Sequence, residues 1–338
     1  MSATLDYSKP RRLQRSDLAV PATSDKYFKK AAASDADAIF IELEDAVAPA
    51  EKTRARVLAV AAINDNNWGT KVVSARVNGL DTEWGYRDIV ELAEQCPRLD
   101  MVLVPKVGSA AEIQFVDILL SGIERATRRT RQIGIQALIE SAAGMVNAPA
   151  IACASPRLEA LVFGVGDYMI DMQTSDVRMG GFNPDYPVLD DGSIDRGKSP
   201  YYADQWHYAQ SRLVTICRAN NVRPIDGPYT DFSDAEGFMA AARRAKAMGF
   251  EGKWAIHPSQ IDLANRVFAP GPQQLVWAEK VVCAMEKAIS EGRGATKIDN
   301  ELFDIAHLKL ARQLLQRAEF IRVTKDRSFE VVARSNQL

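Results

Sequence analysis

Apolar runs alternate with longer segments of helical periodicity along most of the chain. Several runs, such as Ala38–Glu44 and Met101–Val107, are almost continuously apolar, which is typical of parallel strands that helices cover on the outside. Eight runs of this kind predict eight strands: Asp17–Ala22, Ala38–Glu44, Lys71–Asn78, Met101–Val107, Ile133–Glu140, Leu158–Asp167, Val222–Gly227 and Lys253–His257.

Helical patterns fill the intervals between these runs. Ser109–Arg131 opens with Ser-Ala-Ala-Glu, the spacing of a capping box. Ser233–Met248 opens with a second such box, and Gly249 marks its predicted end. The other predicted helices are Ser24–Ser34, Ala50–Asn64, Thr82–Cys96, Ser141–Ala154, Asp204–Asn220 and Ser259–Phe268.

Eight strand–helix pairs predict an α/β fold, a (β/α)8 TIM barrel that occupies residues 1–270. The alternative is an open, doubly wound sheet. That fold usually carries a GxGxxG fingerprint after a strand, and the GVGD stretch at Gly164–Asp167 does not match it.

Two segments depart from the repeat. Met169–Ala203 is a long polar loop after the sixth strand, and loops of this length in a compact domain are usually functional or mobile. Pro272–Gly292 and Glu301–Val323 are predicted helices joined by Arg293–Asn300. They lie beyond the eighth unit, so residues 271–338 are predicted to form a C-terminal helical extension.

Composition narrows the class of protein. The 338 residues are 47% hydrophobic and 25% charged, as in a globular protein, and the net charge of −2 argues against a protein that coats nucleic acid. Apolar windows are too short for a membrane helix, and the N-terminus lacks the apolar core of a signal peptide. We therefore expect a cytoplasmic protein with no nucleic-acid or membrane partner. Four widely spaced cysteines predict buried, reduced thiols rather than a zinc site or a disulfide framework.

Polar side chains end most of the predicted strands. In a barrel of this type the chemistry lies at the carboxyl ends of the strands, where unpaired charges would cost desolvation unless they bind a ligand. These side chains therefore indicate a functional rim: Glu42, Glu44, Asp45, Arg76, Asn78, Lys106, Glu140, Asp167, Asp226 and His257.

Glu140 and Asp167 are the best candidate metal pair, because they end neighbouring strands. With only three histidines in the chain, carboxylate ligands favour Mg²⁺ or Mn²⁺ over zinc. The alternative is that the two carboxylates form ion pairs with Arg76 or Lys106. Arg76 itself offers a guanidinium for a carboxylate or developing oxyanion, and its alternative is a salt bridge to Glu42 or Glu44.

His257 and a basic cluster have less specific interpretations. His257 is a candidate for the site, but a helix-capping or neutral core histidine is the more common role. Lys52, Arg54 and Arg56 lie in the first turns of a predicted helix. Such a cluster is ordinarily a solvated helix face, and phosphate binding near the helix N-terminus is the alternative.

Seven motifs, in chain order, resemble those of the citrate lyase β-subunit-like aldolase family, and within it the malyl-CoA and β-methylmalyl-CoA lyases. The similarity runs from about Arg11 to Leu315 and includes the Glu140 and Asp167 segments. The motifs are ELEDAVAP (42–49), ARVNGLDT (75–82), VPKV (104–107), LIESAAGM (138–145), FGVGDY (163–168), RPIDGPYTDFSD (223–234) and GFEGKWAIHPSQI (249–261).

The resemblance implies a TIM barrel with a C-terminal helical lid, assembled as homotrimers or homohexamers with active sites shared between subunits. It implies reversible, Mg²⁺-dependent cleavage of a 3-hydroxyacyl-CoA into an acyl-CoA and a 2-oxoacid, with Mn²⁺ as a substitute. Glu140 and Asp167 would bind the metal, and Arg76 would stabilise the enolate. Asp299 in the lid would reach a neighbouring active site, and Asn300 replaces the glycine that usually follows it.

The same resemblance suggests further roles. Glu44 and Asp45 would orient metal-bound waters, and His257 and Pro258 would lie next to the substrate. Three cations are candidates for the CoA phosphates: Arg15, Lys52 and Arg56.

Three alternatives to a malyl-CoA lyase remain open at this point. A citramalyl-CoA lyase would produce pyruvate instead of glyoxylate, and a malyl-CoA thioesterase would hydrolyse the thioester on the same scaffold. A non-catalytic assembly subunit would be expected to lose Glu140, Asp167 or Arg76, and all three are present.

Overall fold

In the computed structural model, which describes residues 9–175, 178–181, 183–189, 200–202 and 204–335, eight parallel strands close into a barrel. This confirms the predicted TIM-barrel fold. β1–β6, β9 and β10 form the barrel, in the order β1-β10-β9-β6-β5-β4-β3-β2. The strands are β1 (Ser16–Pro21), β2 (Ala38–Glu42), β3 (Val72–Arg76), β4 (Met101–Val104), β5 (Gly134–Ile139), β6 (Leu158–Phe163), β7 (Pro187–Leu189), β8 (Pro200–Tyr202), β9 (Arg223–Asp226), β10 (Gly252–Ala255), β11 (Ala295–Ile298) and β12 (Glu301–Asp304).

Helices follow the barrel strands as the sequence predicts, with shifts of a few residues at their ends. A 3₁₀ turn over Pro49–Glu51 precedes α2. The helices are α1 (Asp25–Ala32), α2 (Lys52–Asp65), α3 (Gly85–Gln95), α4 (Ala110–Ala126), α5 (Ala142–Ala152), α6 (Val165–Asp171), α7 (His207–Ala219), α8 (Ala235–Met248), α9 (Ser259–Val267), α10 (Pro272–Ser290) and α11 (Ile305–Ser335).

The capping predictions have different outcomes. The box at Ser109 is confirmed, with both reciprocal hydrogen bonds present at the start of α4. The box at Ser233 is wrong by one residue, because Asp234 caps α8 by accepting from the Gly237 N–H over 2.8 Å, while the Ser233 hydroxyl donates to Asp231. Gly249 ends α8 with φ +110°, as predicted for a left-handed helix stop.

The barrel interior consists of stacked layers of side chains. Phe40 and Trp254 meet in the central layer, with ring centroids 4.5 Å apart, among aliphatic residues of the other strands. Side chains alternate along a strand, so Glu42, two residues after Phe40, also faces the interior but at the carboxyl end. The apolar layer therefore supports a charged one at the mouth.

The C-terminal segment forms a second compact unit that begins at Arg266. In it α10 and α11 pack around Met285 and Phe303. The predicted helix start at Glu301 is wrong, because residues 301–304 pair with β11 as an antiparallel hairpin and α11 begins at Ile305. Asp299 and Asn300 make the two-residue turn with φ +47° and +70°, as in a type I′ turn.

Other sequence expectations concern surface and loop segments. The predicted loop 169–203 contains the end of α6 and the short antiparallel pair β7–β8, and residues 176, 177, 182, 190–199 and 203 lie outside the described residues. Among the helices that the structure describes, none has the length and apolar character needed to cross a membrane. The four cysteines are free thiols, but Cys153 and Cys283 are exposed, contrary to the expectation that all are buried.

Candidate active site

Arg76 ends β3 and lies in the charged layer at the barrel mouth. Its Nε donates to Glu42 Oε2 over 2.5 Å, and its two terminal nitrogens lie 3.2 Å from Glu44 and 3.3 Å from Asp45. The salt bridge that the sequence offered as an alternative is therefore present. Burial opposes the charged guanidinium, but Glu42 and Glu44 raise the pKa of Arg76, so it stays protonated.

The loop after β2 is held in place from two sides. Glu42 Oε1 accepts from the Glu44 N–H over 2.5 Å. The Lys52 ammonium donates to the carbonyl oxygens of Leu43 and Glu44 over 2.9 and 2.6 Å. The buried Lys52 side chain therefore holds this loop in place, which contradicts the expectation that Lys52 belongs to a solvated face of its helix.

Glu140 follows β5, as predicted, but Asp167 does not end a strand. β6 stops at Phe163, and Asp167 lies in the first turn of α6. At Gly164 an added Cβ would lie 2.5 Å from Cβ of Glu140, so glycine lets these chain segments approach closely. Burial and the nearby Asp167 carboxylate raise the pKa of Glu140 to about 8. The two carboxylates are therefore close enough to repel one another.

Lys106, which the sequence predicts on the functional rim and as an ion-pair partner, contacts these carboxylates. Its backbone N–H donates to Glu140 Oε1 over 2.7 Å, and its Nζ lies 2.8 Å from Glu44 and 3.7 Å from Asp167. The predicted alternative of an Asp167–Lys106 ion pair is therefore present. The feature of the sequence that points to Lys106 as a site residue is its position directly after Pro105, just beyond the end of β4.

The charge balance of this cluster fits a divalent cation. Among the described residues that contact one another here, five carboxyl groups face the three cations Arg76, Lys106 and Lys52, so acidic groups are in excess. The carboxylates are Glu42, Glu44, Asp45, Glu140 and Asp167. Within the described segments, no three His, Cys, Asp or Glu side chains converge as metal ligands. Two carboxylates, with water or substrate oxygens in the remaining positions, match the way Mg²⁺ is usually held.

A cavity of about 350 Å³ lies beside the cluster. Its wall includes Glu44, Lys106, Asn78 and Trp84, so it extends from the carboxylates towards the loop between β3 and α3. Asn78 is fixed by Asp88, which accepts from both its backbone N–H and its side-chain amide. The site therefore combines charged groups with a solvent-accessible cavity that could take a substrate.

Two of the predicted CoA-binding cations lie elsewhere. Arg15 precedes β1 at the amino end of the barrel, opposite the mouth, and its guanidinium binds Asp37 over 2.6 and 2.8 Å. Arg56 is buried and pairs with Asp88 over 2.6 Å and with Glu91 over 2.9 Å. Both guanidinium groups form buried ion pairs here, and the CoA-binding roles of Arg15 and Arg56 stay predictions.

His257 and Pro258 follow β10 at the mouth of the barrel, but His257 contacts residues close to it, at the start of α9 and in the loop before α8. Its ring stacks on Phe232 with centroids 4.7 Å apart, and its Nδ1 accepts from the Ser259 N–H over 3.2 Å at the start of α9. This is the helix-capping role that the sequence offered as an alternative. In the second unit, Asp299 is 79% exposed and forms an ion pair with Lys280.

Comparison with known proteins places this geometry in a family. The family model described as HpcH/HpaI aldolase/citrate lyase matches residues 15–258, which is the whole barrel up to the end of β10. The chain belongs to the HpcH/HpaI aldolase/citrate lyase family. Membership confirms the family resemblance and the lyase class that the motifs predict.

Two curated relatives show how this family member compares over its full length. It is 44% identical over 322 residues to an L-malyl-CoA/β-methylmalyl-CoA lyase from Cereibacter sphaeroides, which covers 95% of this chain and 99% of the relative. It is 33% identical to a (3S)-malyl-CoA thioesterase from the same species, over 91% of this chain and 95% of that protein. The alignments therefore include the C-terminal unit as well as the barrel.

A solved structure is also similar to this chain over nearly its whole length. The CitE protein of Mycobacterium tuberculosis, solved in complex with magnesium, acetoacetate and coenzyme A, is 28% identical to this family member. The match has a TM-score of 0.68 and covers 91% of this chain and 98% of that chain.

Proposed function

We propose that this aldolase/citrate lyase family member is a Mg²⁺-dependent lyase that reversibly cleaves 3-hydroxyacyl-CoA thioesters. Its substrates would be L-malyl-CoA, which yields acetyl-CoA and glyoxylate, and β-methylmalyl-CoA, which yields propionyl-CoA and glyoxylate. The main support for this proposal is that the buried guanidinium of Arg76 and the carboxylates of Glu140 and Asp167 lie together at the mouth of the barrel. Extensive identity to a lyase of that name supports the choice of substrates.

The cleavage needs a group that stabilises negative charge on the departing acyl-CoA. A base removes the proton from the 3-hydroxyl, the C2–C3 bond breaks, and its electron pair moves into the thioester enolate. Arg76 is held rigidly by Glu42 and Glu44, so its charge is preorganised to offset the enolate. Glu140 and Asp167 would hold Mg²⁺, which would supply Lewis acidity for the oxo group of the 2-oxoacid.

The remaining residues position groups or move a proton. Glu44 and Asp45 contact Arg76 and Lys106, which favours orienting roles over direct metal binding. Asp299, delivered by the lid of a neighbouring subunit in a homotrimer or homohexamer, would protonate C2 of the enolate. In the condensation direction its carboxylate would remove that proton.

A condensation assay separates this activity from its alternatives. Purified protein is incubated with acetyl-CoA or propionyl-CoA and either glyoxylate or pyruvate, with Mg²⁺ or with EDTA, and products are identified by mass spectrometry. We expect malyl-CoA and β-methylmalyl-CoA from glyoxylate, with no product after chelation, because sites built from few carboxylates bind Mg²⁺ weakly. Product from pyruvate alone would identify a citramalyl-CoA lyase.

The thioesterase alternative is tested with the thioester itself as substrate, because that enzyme would hydrolyse malyl-CoA with water. Protein is incubated with malyl-CoA, and glyoxylate, malate and free CoA are measured. Malate and CoA without glyoxylate, together with no condensation, would replace the lyase proposal by a malyl-CoA thioesterase, the activity named for the relative that is 33% identical.

A further inference from the structure

Lys106 has a backbone conformation that side-chain-bearing residues rarely adopt. Its φ is +52°, in the left-handed region. In this conformation the Lys106 N–H points to Glu140 Oε1, 2.7 Å away. Unfavourable backbone conformations persist where the surrounding structure enforces them, and they concentrate at functional sites. Lys106 is therefore fixed at its backbone by one of the two candidate metal ligands.

The Lys106 side chain reaches the other candidate ligand. Its Nζ lies 2.8 Å from Glu44 Oε1, 3.5 Å from Asp45 Oδ1 and 3.7 Å from Asp167 Oδ2. The ammonium thus occupies the space between the β2 loop and α6. It supplies positive charge next to a carboxylate that a metal ion would also need.

Arg76 and Lys106 differ in their freedom to move. The Arg76 side chain is 9% exposed and is bound on three edges by carboxylates. The Lys106 side chain is 48% exposed and carries its charge on a flexible four-carbon stem. An ammonium in such a position can leave Asp167 at little cost, because water can solvate it.

We propose that Lys106 is a charge-balancing residue that competes with the divalent cation for Asp167. Its ammonium neutralises Asp167 while no metal is bound, and the incoming cation displaces it. This proposal rests on the proposed function, which assigns Asp167 and Glu140 to the metal. Glu44 and Asp45 would retain the displaced ammonium at the edge of the site.

Under this proposal, removing the Lys106 charge changes metal affinity in the opposite direction to removing a metal ligand. Removal of the Lys106 charge should tighten metal binding, since the displaced ammonium and the dication still repel one another. At a separation of about 6–12 Å in a water-like dielectric, this repulsion corresponds to about three- to tenfold in affinity. The effect should shrink at high salt, because the side chain is half exposed and its field is screened.

The test measures Mn²⁺ binding to the full-length protein, without substrate, by the electron paramagnetic resonance signal of free Mn²⁺. Lys106→Met removes the charge at similar volume. Lys106→Gly also removes it, yet glycine accepts the positive φ and keeps the N–H for Glu140, so it separates the side chain from the backbone. Lys106→Arg retains the charge. Lys30→Met, on an exposed position in the last turn of α1, is the matched control.

We expect the methionine and glycine variants to bind Mn²⁺ about three- to tenfold more tightly than wild type. The arginine variant and the Lys30 control should bind as wild type does. Unchanged or weaker binding in both neutral variants, with circular dichroism showing native structure, would overturn the competition while leaving the proposed function intact. A folded wild type that binds no Mn²⁺ would overturn the metal assignment and this proposal together.

Discussion

Glu42 holds Arg76 and the loop after β2 at the same time. Its Oε2 accepts from Arg76 Nε over 2.5 Å, and its Oε1 accepts from the Glu44 N–H over 2.5 Å. Both side chains are buried, so this contact is shielded from water. Burial raises the pKa of Glu42, and the Arg76 charge acts against that rise. Glu42 therefore sets the direction in which Arg76 presents its remaining donors.

Glu42→Gln should reduce kcat about 10- to 100-fold with a smaller change in KM, because a misdirected guanidinium loses its alignment with the reacting atoms. Steady-state kinetics with malyl-CoA checks this. Glu159→Gln is the matched control, since Glu159 is a buried glutamate that pairs with Arg12 over 2.6 Å near the amino end of β6. The control should lower the melting temperature and leave kcat unchanged. Equal kcat losses in both variants would show that Glu42 acts only through stability.

Arg54 and Arg56 provide a second matched pair, two residues apart at the start of α2. Arg56→Ala would leave the fully buried carboxylate of Asp88 without its 2.6 Å partner, and this should cost about 3–5 kcal/mol of unfolding free energy. Arg54 is 71% exposed and pairs with the half-exposed Glu51, so Arg54→Ala should cost about 0–1 kcal/mol. Urea denaturation of both variants measures the difference. Similar, small losses would show that the Arg56–Asp88 pair is not a structural support of the barrel.

The barrel could be predicted from sequence because its strands are local features. Most of the eight barrel strands are runs of buried, largely apolar residues, and this pattern is visible in the sequence without knowledge of the partner strands. The sequence predicts a strand that reaches Asp167, because the apolar run continues past Phe163 into α6. The sequence predicts a linker over Arg293–Asn300 and a helix from Glu301 where the structure has a hairpin, because two four-residue strands carry too little pattern to be recognised.

The roles of the cations could not be predicted in the same way. Arg15 and Arg56 look like phosphate ligands when only their own charge is considered. Their partners, Asp37 and Asp88, lie 22 and 32 positions later in the chain, and only the closed barrel brings them together. For Lys52, the partners are backbone carbonyl oxygens, which leave no signal in a sequence at all.

Asp17 should make the stability of the barrel depend on pH. It is fully buried on β1 and accepts from Gln14 Nε2 over 2.6 Å. Burial raises its pKa to about 6, although the hydrogen bond from Gln14 acts against this rise. The folded-state pKa therefore lies above the unfolded value of about 3.9.

A raised pKa means that the folded protein binds this proton more tightly than the unfolded chain. The contribution of protonated Asp17 to the free energy of unfolding is complete below about pH 4 and is lost as the pH rises through about 6. By pH 8 this group should have lowered the free energy of unfolding by about 3 kcal/mol relative to pH 4. Asp17→Asn keeps a neutral side chain at every pH. It should therefore change stability little at pH 4, raise it at pH 8, and flatten the profile between them. Urea denaturation across this range is the measurement, and the same slope in both proteins would contradict the assignment.

Asp299 occupies the first position of the β11–β12 turn, where φ is +47°. Asparagine tolerates this left-handed conformation, so Asp299→Asn should preserve the hairpin while it removes the acid–base function. We expect kcat to fall about 100- to 10,000-fold, the usual contribution of a positioned acid or base, with Mn²⁺ and CoA binding retained. Loss of Mn²⁺ binding would show that the substitution disturbs more than this step.

Mixing subunits decides which active site Asp299 serves. Asp299→Asn subunits are combined with Arg76→Lys subunits, each of which is nearly inactive alone, and subunit exchange is confirmed by native mass spectrometry. If a lid serves the neighbouring barrel, some sites in mixed oligomers combine an intact Arg76 with an intact Asp299, and activity should return in part. If a lid serves its own barrel, every site carries one of the two substitutions, and exchange restores nothing. Recovery after confirmed exchange therefore requires a site built from two chains, and its absence would place Asp299 over its own barrel or outside the chemistry.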